Sequence, residues 1–297
     1  MGLNLNGFLI KCHAPSEDSL AVIVDCSELP GSRYLDFIKE LQDALSAMDE
    51  LYSEKTQHRR TVRARYIKYV DSRKRVIRFN PYPSALLNKI KYIRAKTYFA
   101  INKYCVVIQR FKSGMFERNI YLLPYNYADN FIKFISQINE EIEEINKLLS
   151  SVNLNSIEKI LKKYDLEMAN NQRLLSKIEI ELFPFELNDE IIENWSRRSP
   201  AVASAIFEYK RKLVMDAINT IKPKIDELVK RLLAKKRLKD VKKNLEELKK
   251  FAESVGLQSL AETVITPLIE QAEGKIPINI NAPEWLEGRI ASLIENI

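Results

Sequence analysis

From Phe131 to Val152 the apolar positions step by four and three in strict alternation: Phe131, Ile135, Ile138, Ile142, Ile145, Leu149 and Val152. A 3.5-residue period of this kind predicts one long helix with a single apolar seam, about 33 Å long at 1.5 Å per residue. Ile221, Ile225, Leu228 and Leu232 form a second seam, and Leu238, Val241, Leu245, Leu248, Ala252 and Val255 a third, offset from the second by a break. Ser199-Pro200 should start that helical region, Pro223 should bend or divide it, and Gly256 should end it. Leu35, Ile38, Leu41, Leu45, Met48 and Tyr52 share a helical spacing. Asn80-Pro81-Tyr82-Pro83 then breaks the chain, and Ser84 is placed to cap a helix carrying Leu87, Ile90, Ile93, Ala100 and Ile101. Asn155 to Glu158 resembles a capping box for a helix through about Ala169, and shorter helices are expected from Ser259 and Asn281.

Elsewhere the period is two. GFLIKCH and LAVIVDC, separated by APSEDS, read as an N-terminal hairpin. CVVIQRF and NIYLLP read as a second, with Gly114 in its loop. RVIRF and KIEIELFPF each predict a further strand. The expected fold is mainly α, with long antiparallel coiled-coil-like helices and one or two small β-hairpins, α+β at the margins. The expected division is a mixed α/β region with a basic surface over 1–124 and a helical, coiled-coil-rich region over 125–297.

Composition sharpens this. Glycine supplies seven of 297 residues, about a third of the usual 7%, which favours helices and leaves no glycine-rich phosphate loop. The wealth of Lys, Ile, Leu and Glu is a thermophile-like composition. Cys12, Cys26 and Cys105 are odd in number and scattered, pointing away from a disulfide framework and toward a reducing cytoplasm. No apolar run approaches the roughly 18 residues of a spanning helix, so no membrane segment is expected.

Charge comes in blocks. Residues 54–118 carry eighteen bases and three acids, and 195–252 carry seventeen and seven; the three flanking blocks are acidic, and the whole sums to +7. Lys55 to Phe79 alone holds ten bases against one Asp. The chemistry of catalysis is sparse by comparison. His13 and His58 have no partner at metal-ligand spacing, and adjacent Cys12 and His13 on a strand point to opposite faces. No P-loop, HExxH or Gly-x-Ser-x-Gly pattern occurs. Glu140, Glu141, Glu143 and Glu144 flank the seam and read as a solvated helix face. An enzyme with a cofactor is therefore not expected.

The basic block suggests an anionic partner. Nine of thirteen tyrosines lie between Tyr66 and Tyr127, interleaved with it. Cations neutralise phosphates and aromatic faces stack on unpaired bases, so DNA or RNA is a natural partner for 55–118. Arg59, Arg60, Arg63, Arg65, Arg73, Lys74, Arg75 and Arg78 are the candidate contacts. The rival reading buries or half-buries Tyr66, Tyr69, Tyr92 and Tyr98 and pairs the arginines against the acidic helices. Lys230 to Lys250 reads as the solvated face of a long helix, with a backbone-tracking surface as its alternative.

The segment LLNKIKYIRAKTYFAINKYCVVIQRFKSGMFERNIYLLPYNYADNFIKFISQINEEIEEINKLLSS, about residues 86–151, resembles a group of phage, plasmid and bacterial proteins encoded beside MoxR-type AAA ATPases. The shared pattern is a helix (86–104), a short β segment (Val106–Phe111), Leu123-Pro124, and a long coiled-coil helix (125–151). The resemblance implies a helical adaptor, often from a mobile element, whose partner is an AAA ATPase or another copy of itself. The seam Phe131, Ile135, Ile138, Ile142, Ile145 and Leu149 would be its interaction face. Two expectations result: a non-enzymatic interaction or adaptor protein, and a nucleic-acid-binding protein using 55–118.

Overall fold

The computed structural model describes residues 4–12, 14–53, 67–71, 75–113, 116–167, 174–197, 200–278 and 282–295. In chain order its strands are β1 (Asn4–Cys12), β2 (Val22–Asp25), β3 (Lys68–Asp71), β4 (Val76–Phe79), β5 (Val106–Ser113), β6 (Phe116–Pro124) and β7 (Ile180–Asn188). Its helices are α1 (Gly31–Ser53), α2 (Ser84–Tyr104), α3 (Tyr125–Ser150), α4 (Asn155–Lys163), α5 (Asp189–Ser196), α6 (Pro200–Leu233), α7 (Leu238–Ser254), α8 (Gln258–Leu260), α9 (Thr266–Ala272) and α10 (Ala282–Glu295). Helices predominate, with two small antiparallel sheets.

The chain forms two units, neither a single stretch of sequence: unit 1 comprises 1–12, 100–132 and 180–297, and unit 2 comprises 13–99 and 133–179. This differs from the expected division at residue 124. The reason is pairing: β1 lies between β6 and β7, so the start, middle and latter part of the chain share one sheet.

In unit 1 the strand order is β5-β6-β1-β7. The hairpin expected from CVVIQRF and NIYLLP is β5–β6, with a register shift between Val107 and Gln109. At that irregularity the Val107 N–H donates to the Thr220 hydroxyl of α6 at 3.3 Å. β7 tolerates Pro184 because it is an edge strand that pairs only with β1. The core runs from Val106, Ile108 and Leu122 through Leu213, Ile221, Leu232, Leu245 and Val255 to Leu286. Both seams read between Ile221 and Val255 are thus buried except at Leu238, which is half-buried. Pro223 does not divide α6, which continues through it to Leu233; Ser199 lies outside the described residues. At the end of α7, Gly256 adopts φ 75°. Its N–H donates to the Glu253 carbonyl at 3.1 Å and the Leu257 N–H to the Ala252 carbonyl at 2.8 Å, a Schellman cap as the sequence suggests.

Beyond α7, Glu273 accepts from Lys242 at 2.6 Å and Lys275 at 2.7 Å. Those ammonium groups hold its carboxyl at about 2, against an ordinary 4.5. A depressed folded-state pKa gives stability that is present above the ordinary value and lost as pH falls toward the depressed one. Glu273→Gln should therefore melt below the parent at neutral pH, and the gap should close on acidification from 4.5 to about 2. A gap independent of pH would remove the ion pairs as its source.

Unit 2 contains the sheet β2-β4-β3. RVIRF is its central strand, β4. GFLIKCH and LAVIVDC do not form a hairpin: β1 and β2 belong to different sheets, and a 3-10 turn at Glu17–Leu20 separates them. On α1 the buried stripe is Tyr34, Phe37, Leu41, Leu45 and Met48, while Leu35 is 68% exposed. α4 starts without the expected capping box. Leu154 is its cap residue and makes no side-chain cap bond; the Asn155 N–H donates to Asn153 Oδ1 at 2.9 Å instead. At the other end of α4, the Lys163 ammonium and the Tyr164 hydroxyl donate to Glu40 of α1, at 2.6 and 3.0 Å.

Two asparagines on α3 hold an extended segment against the helix. Asn139 accepts from the Ile178 N–H at 2.8 Å and donates to its carbonyl at 3.1 Å. Asn146 does the same for Leu175, at 2.8 and 2.9 Å. Leu175 and Ile178 are both buried between exposed neighbours.

Candidate nucleic-acid interface

The sequence of α2, SALLNKIKYIRAKTYFAINKY, contains five cations and no acid. Leu86, Ile90, Ile93 and Thr97 step by four and three and are buried, which commits one side of the helix to the core. Thr97, fully enclosed, satisfies its hydroxyl on the Ile93 carbonyl at 3.0 Å. The other side faces outward by the same periodicity. There Tyr92 is 61%, Tyr98 45% and Phe99 57% exposed. Lys89, Lys91 and Arg94 are exposed beside them.

The cations differ in what they touch. Lys96 pairs with Glu141 of α3 at 2.5 Å, which raises its pKa, and lies 4.8 Å from the Tyr92 ring centre. Arg94 lies 5.9 Å over Tyr98. Lys89, Lys91 and Arg94 have no carboxylate partner among the described residues. Solvent-facing rings and uncommitted cations therefore alternate along one helix, two turns apart between Tyr92 and Phe99. Tyr92 and Tyr98 are not half-buried, as the rival reading of the sequence required; Tyr82, by contrast, is core at 2% exposure.

The arginines singled out by charge density fare differently. Arg59, Arg60, Arg63, Arg65, Arg73 and Lys74 lie outside the described residues, as do Tyr66, His13 and His58. Arg75 and Arg78 are engaged by unit 2 itself. Arg75 donates to the Leu29 carbonyl at 2.7 Å and covers the Tyr34 ring at 5.2 Å. Arg78 donates to the Asp18 carbonyl at 2.8 Å and pairs with its carboxylate at 3.2 Å. The seam residues Phe131, Ile135, Ile138, Ile142, Ile145 and Leu149 are all buried, so they supply core and not a free face. Glu140, Glu143 and Glu144 are exposed; Glu141 and Glu143 are paired with Lys96 and Lys177.

Acid–base chemistry is muted. Burial pushes the Cys12 and Cys26 thiols up to about 11, and Cys105 higher still. Lys224 is shifted down by burial and donates to the Asn102 carbonyl, 5.0 Å above the Phe251 ring. A cleft of about 290 Å³ in unit 1 is lined by Asn6, Tyr125, Glu253, Ser254 and Gln258 among others, and the Ser254 hydroxyl donates to the Phe251 carbonyl at 2.7 Å. Among the described residues no three His, Cys, Asp or Glu side chains converge as metal ligands do, and no helix is long and apolar enough to cross a membrane. Compared with family models, curated proteins and solved structures, the chain matches none.

Proposed function

We propose that this is a non-enzymatic nucleic-acid-binding protein that takes single-stranded segments on the outer face of α2. The observation that carries the reading is the exposure of Tyr92, Tyr98 and Phe99 beside Lys89, Lys91 and Arg94, which have no carboxylate partner among the described residues, on a helix without acids. Rings supply a surface for bases of any identity, and the cations neutralise the backbone that connects them. The face's one guanidinium, Arg94, lies over the Tyr98 ring and the other cations are lysines without a planar fork, so the binding is expected to be indifferent to sequence.

Tyr92→Ala with Phe99→Ala should weaken binding of a single-stranded oligonucleotide at least about 30-fold, from a loss of about 1–3 kcal/mol for each of two stacked bases. Lys89→Glu with Lys91→Glu should weaken it further at low salt and flatten its salt dependence. Fluorescence anisotropy measures both. Parental affinity in both variants, or no binding at low salt by the parent, would end this proposal.

The adaptor reading, with an AAA ATPase or a second copy as partner, rests on the resemblance and on coiled-coil pairing through the α3 seam. Because the seam side chains are consumed by the core, they offer that pairing no free face.

A further inference from the structure

The corner between α6 and α7 concentrates charge in a different unit and by a different construction. Lys230, Lys235, Lys236, Arg237, Lys239 and Lys243 are all exposed, and none has a carboxylate partner among the described residues. Neighbouring cations on the same helices are neutralised: Arg231 by Glu227, Lys242 by Glu246 and Glu273, Lys249 by Glu253. Lys235, Lys236, Arg237 and Lys239 thus stand at the corner without a carboxylate partner among the described residues, between paired Arg231 and paired Lys242.

The backbone of the corner also departs from the chain's own habit. α6 ends in a Schellman cap, with the Lys235 N–H on the Leu232 carbonyl at 2.9 Å and the Lys236 N–H on the Arg231 carbonyl at 3.1 Å. This motif puts its closing residue in the left-handed region, where glycine is favoured. The caps after α7 and α9 use glycine, Gly256 at φ 75° and Gly274 at φ 74°. The cap after α4 uses Asp165 at φ 55°, a residue type that tolerates the conformation. At the corner the position is Lys235, φ 51°, followed by Arg237 at φ 49°. Two long cations stand where the backbone favours glycine or asparagine, and Arg237 and Lys239 crowd the positive end of the α7 dipole. The one acid of that first turn is Asp240, and conflicts between local rules and structure concentrate at functional or strained positions.

We infer that the α6–α7 corner is a phosphate-backbone contact for duplex nucleic acid, separate from the α2 face. Residues 226–250 contain no aromatic side chain, so nothing there stacks on bases. They also present no large exposed apolar side chain, since Leu233 and Leu238 are half-buried. An amphipathic helix that lies in a bilayer interface inserts such a group, so a membrane could hold this corner by charge alone, which the vesicles below test. What remains is a compact set of lysines and one arginine that reads charge alone.

The test uses the full chain and a mixed-sequence duplex, with anionic phosphatidylserine vesicles as the second probe. Lys236→Glu, Lys239→Glu and Lys243→Glu together should reduce duplex affinity at least about tenfold at low salt. They should also lower the slope of log K against log salt by about 0.9 for each phosphate that is no longer neutralised. Lys235→Gly is the discriminating variant: it should raise the melting temperature, by relieving the left-handed lysine, while weakening duplex binding. The α2 reading is tested separately, by single-strand binding of Tyr92→Ala with Phe99→Ala, so failure here and failure of that reading are distinguishable. An unchanged affinity and salt slope in the triple variant would overturn the inference. So would vesicle binding that depends on these lysines when duplex binding does not.

Discussion

Replacing Gly7 with alanine will lower the melting temperature of the protein by about 6–12 °C, from a loss of roughly 3 kcal/mol. Gly7 sits in β1 with a strand on each side, opposite Pro124 of β6 and Phe185 of β7. A β-carbon there would stand 2.2 Å from the Leu123 carbonyl oxygen, 2.9 Å from its carbon and 3.0 Å from the Pro124 α-carbon. All three are backbone atoms, so no side chain can swing aside; the strand itself must move, and Leu122 and Leu123 are fully buried. The position demands space, not an unusual φ. Gly288 supplies the control: it lies in α10, where an added β-carbon would meet nothing within 4 Å, and Gly288→Ala should be neutral or stabilise by up to about 1 kcal/mol. Thermal melts followed by circular dichroism decide the matter. Equal melting temperatures for Gly7→Ala and the parent would show that β1 and β6 are not this close.

In unit 2 the largest loss should come from Asp49→Ala, about 2–4 kcal/mol. Asp49 is 5% exposed and accepts from the Ser84 N–H at 2.7 Å and the Ser84 hydroxyl at 2.9 Å. Its negative charge sits at the N-terminus of α2, where the helix dipole favours it. Alanine leaves the Ser84 N–H without its acceptor and deletes two charge-assisted bonds. Asp49→Asn keeps an acceptor and should lose less, and Ser84→Ala should lose about 1 kcal/mol. A denaturant titration in which Asp49→Ala matches Ser84→Ala would assign the carboxylate no role beyond the hydroxyl bond.

That second case shows how far the sequence is readable. Two prolines followed by serine announce the start of α2, because their constraints are local. The residue that satisfies Ser84 lies 35 positions earlier, and nothing in the spacing identifies it. The same limit explains the N-terminal strands. Alternation of period two correctly places strands in GFLIKCH, up to Cys12, and in LAVIVDC, at Val22–Asp25, but pairing is set by distant partners, and each strand found another. Periodicity also left the face of α1 ambiguous: Leu35 and Tyr34 are adjacent, and only packing shows that Tyr34, Phe37 and Leu41 turn inward. Charge density pointed to 55–78, where Arg75 and Arg78 serve their own unit. The exposed rings of α2 were within the basic block all along, but composition alone does not separate Tyr92 at 61% exposure from Tyr82 at 2%. An absence of acids across an entire amphipathic helix was the available signal.

The two asparagines of α3 act as a ruler. Asn139 and Asn146 are seven residues apart, about 10.5 Å along a helix at 1.5 Å per residue. Leu175 and Ile178, which they grip in reverse order, are three residues apart, about 10 Å in an extended chain at 3.3 Å per residue. Two unlike periodicities coincide at this one separation. One residue added between Leu175 and Ile178 would overshoot the second asparagine by a full extended step, and one removed would fall short by the same amount. The helix thus measures the extended segment laid against it, and fixes to a single residue the point at which the chain leaves its side.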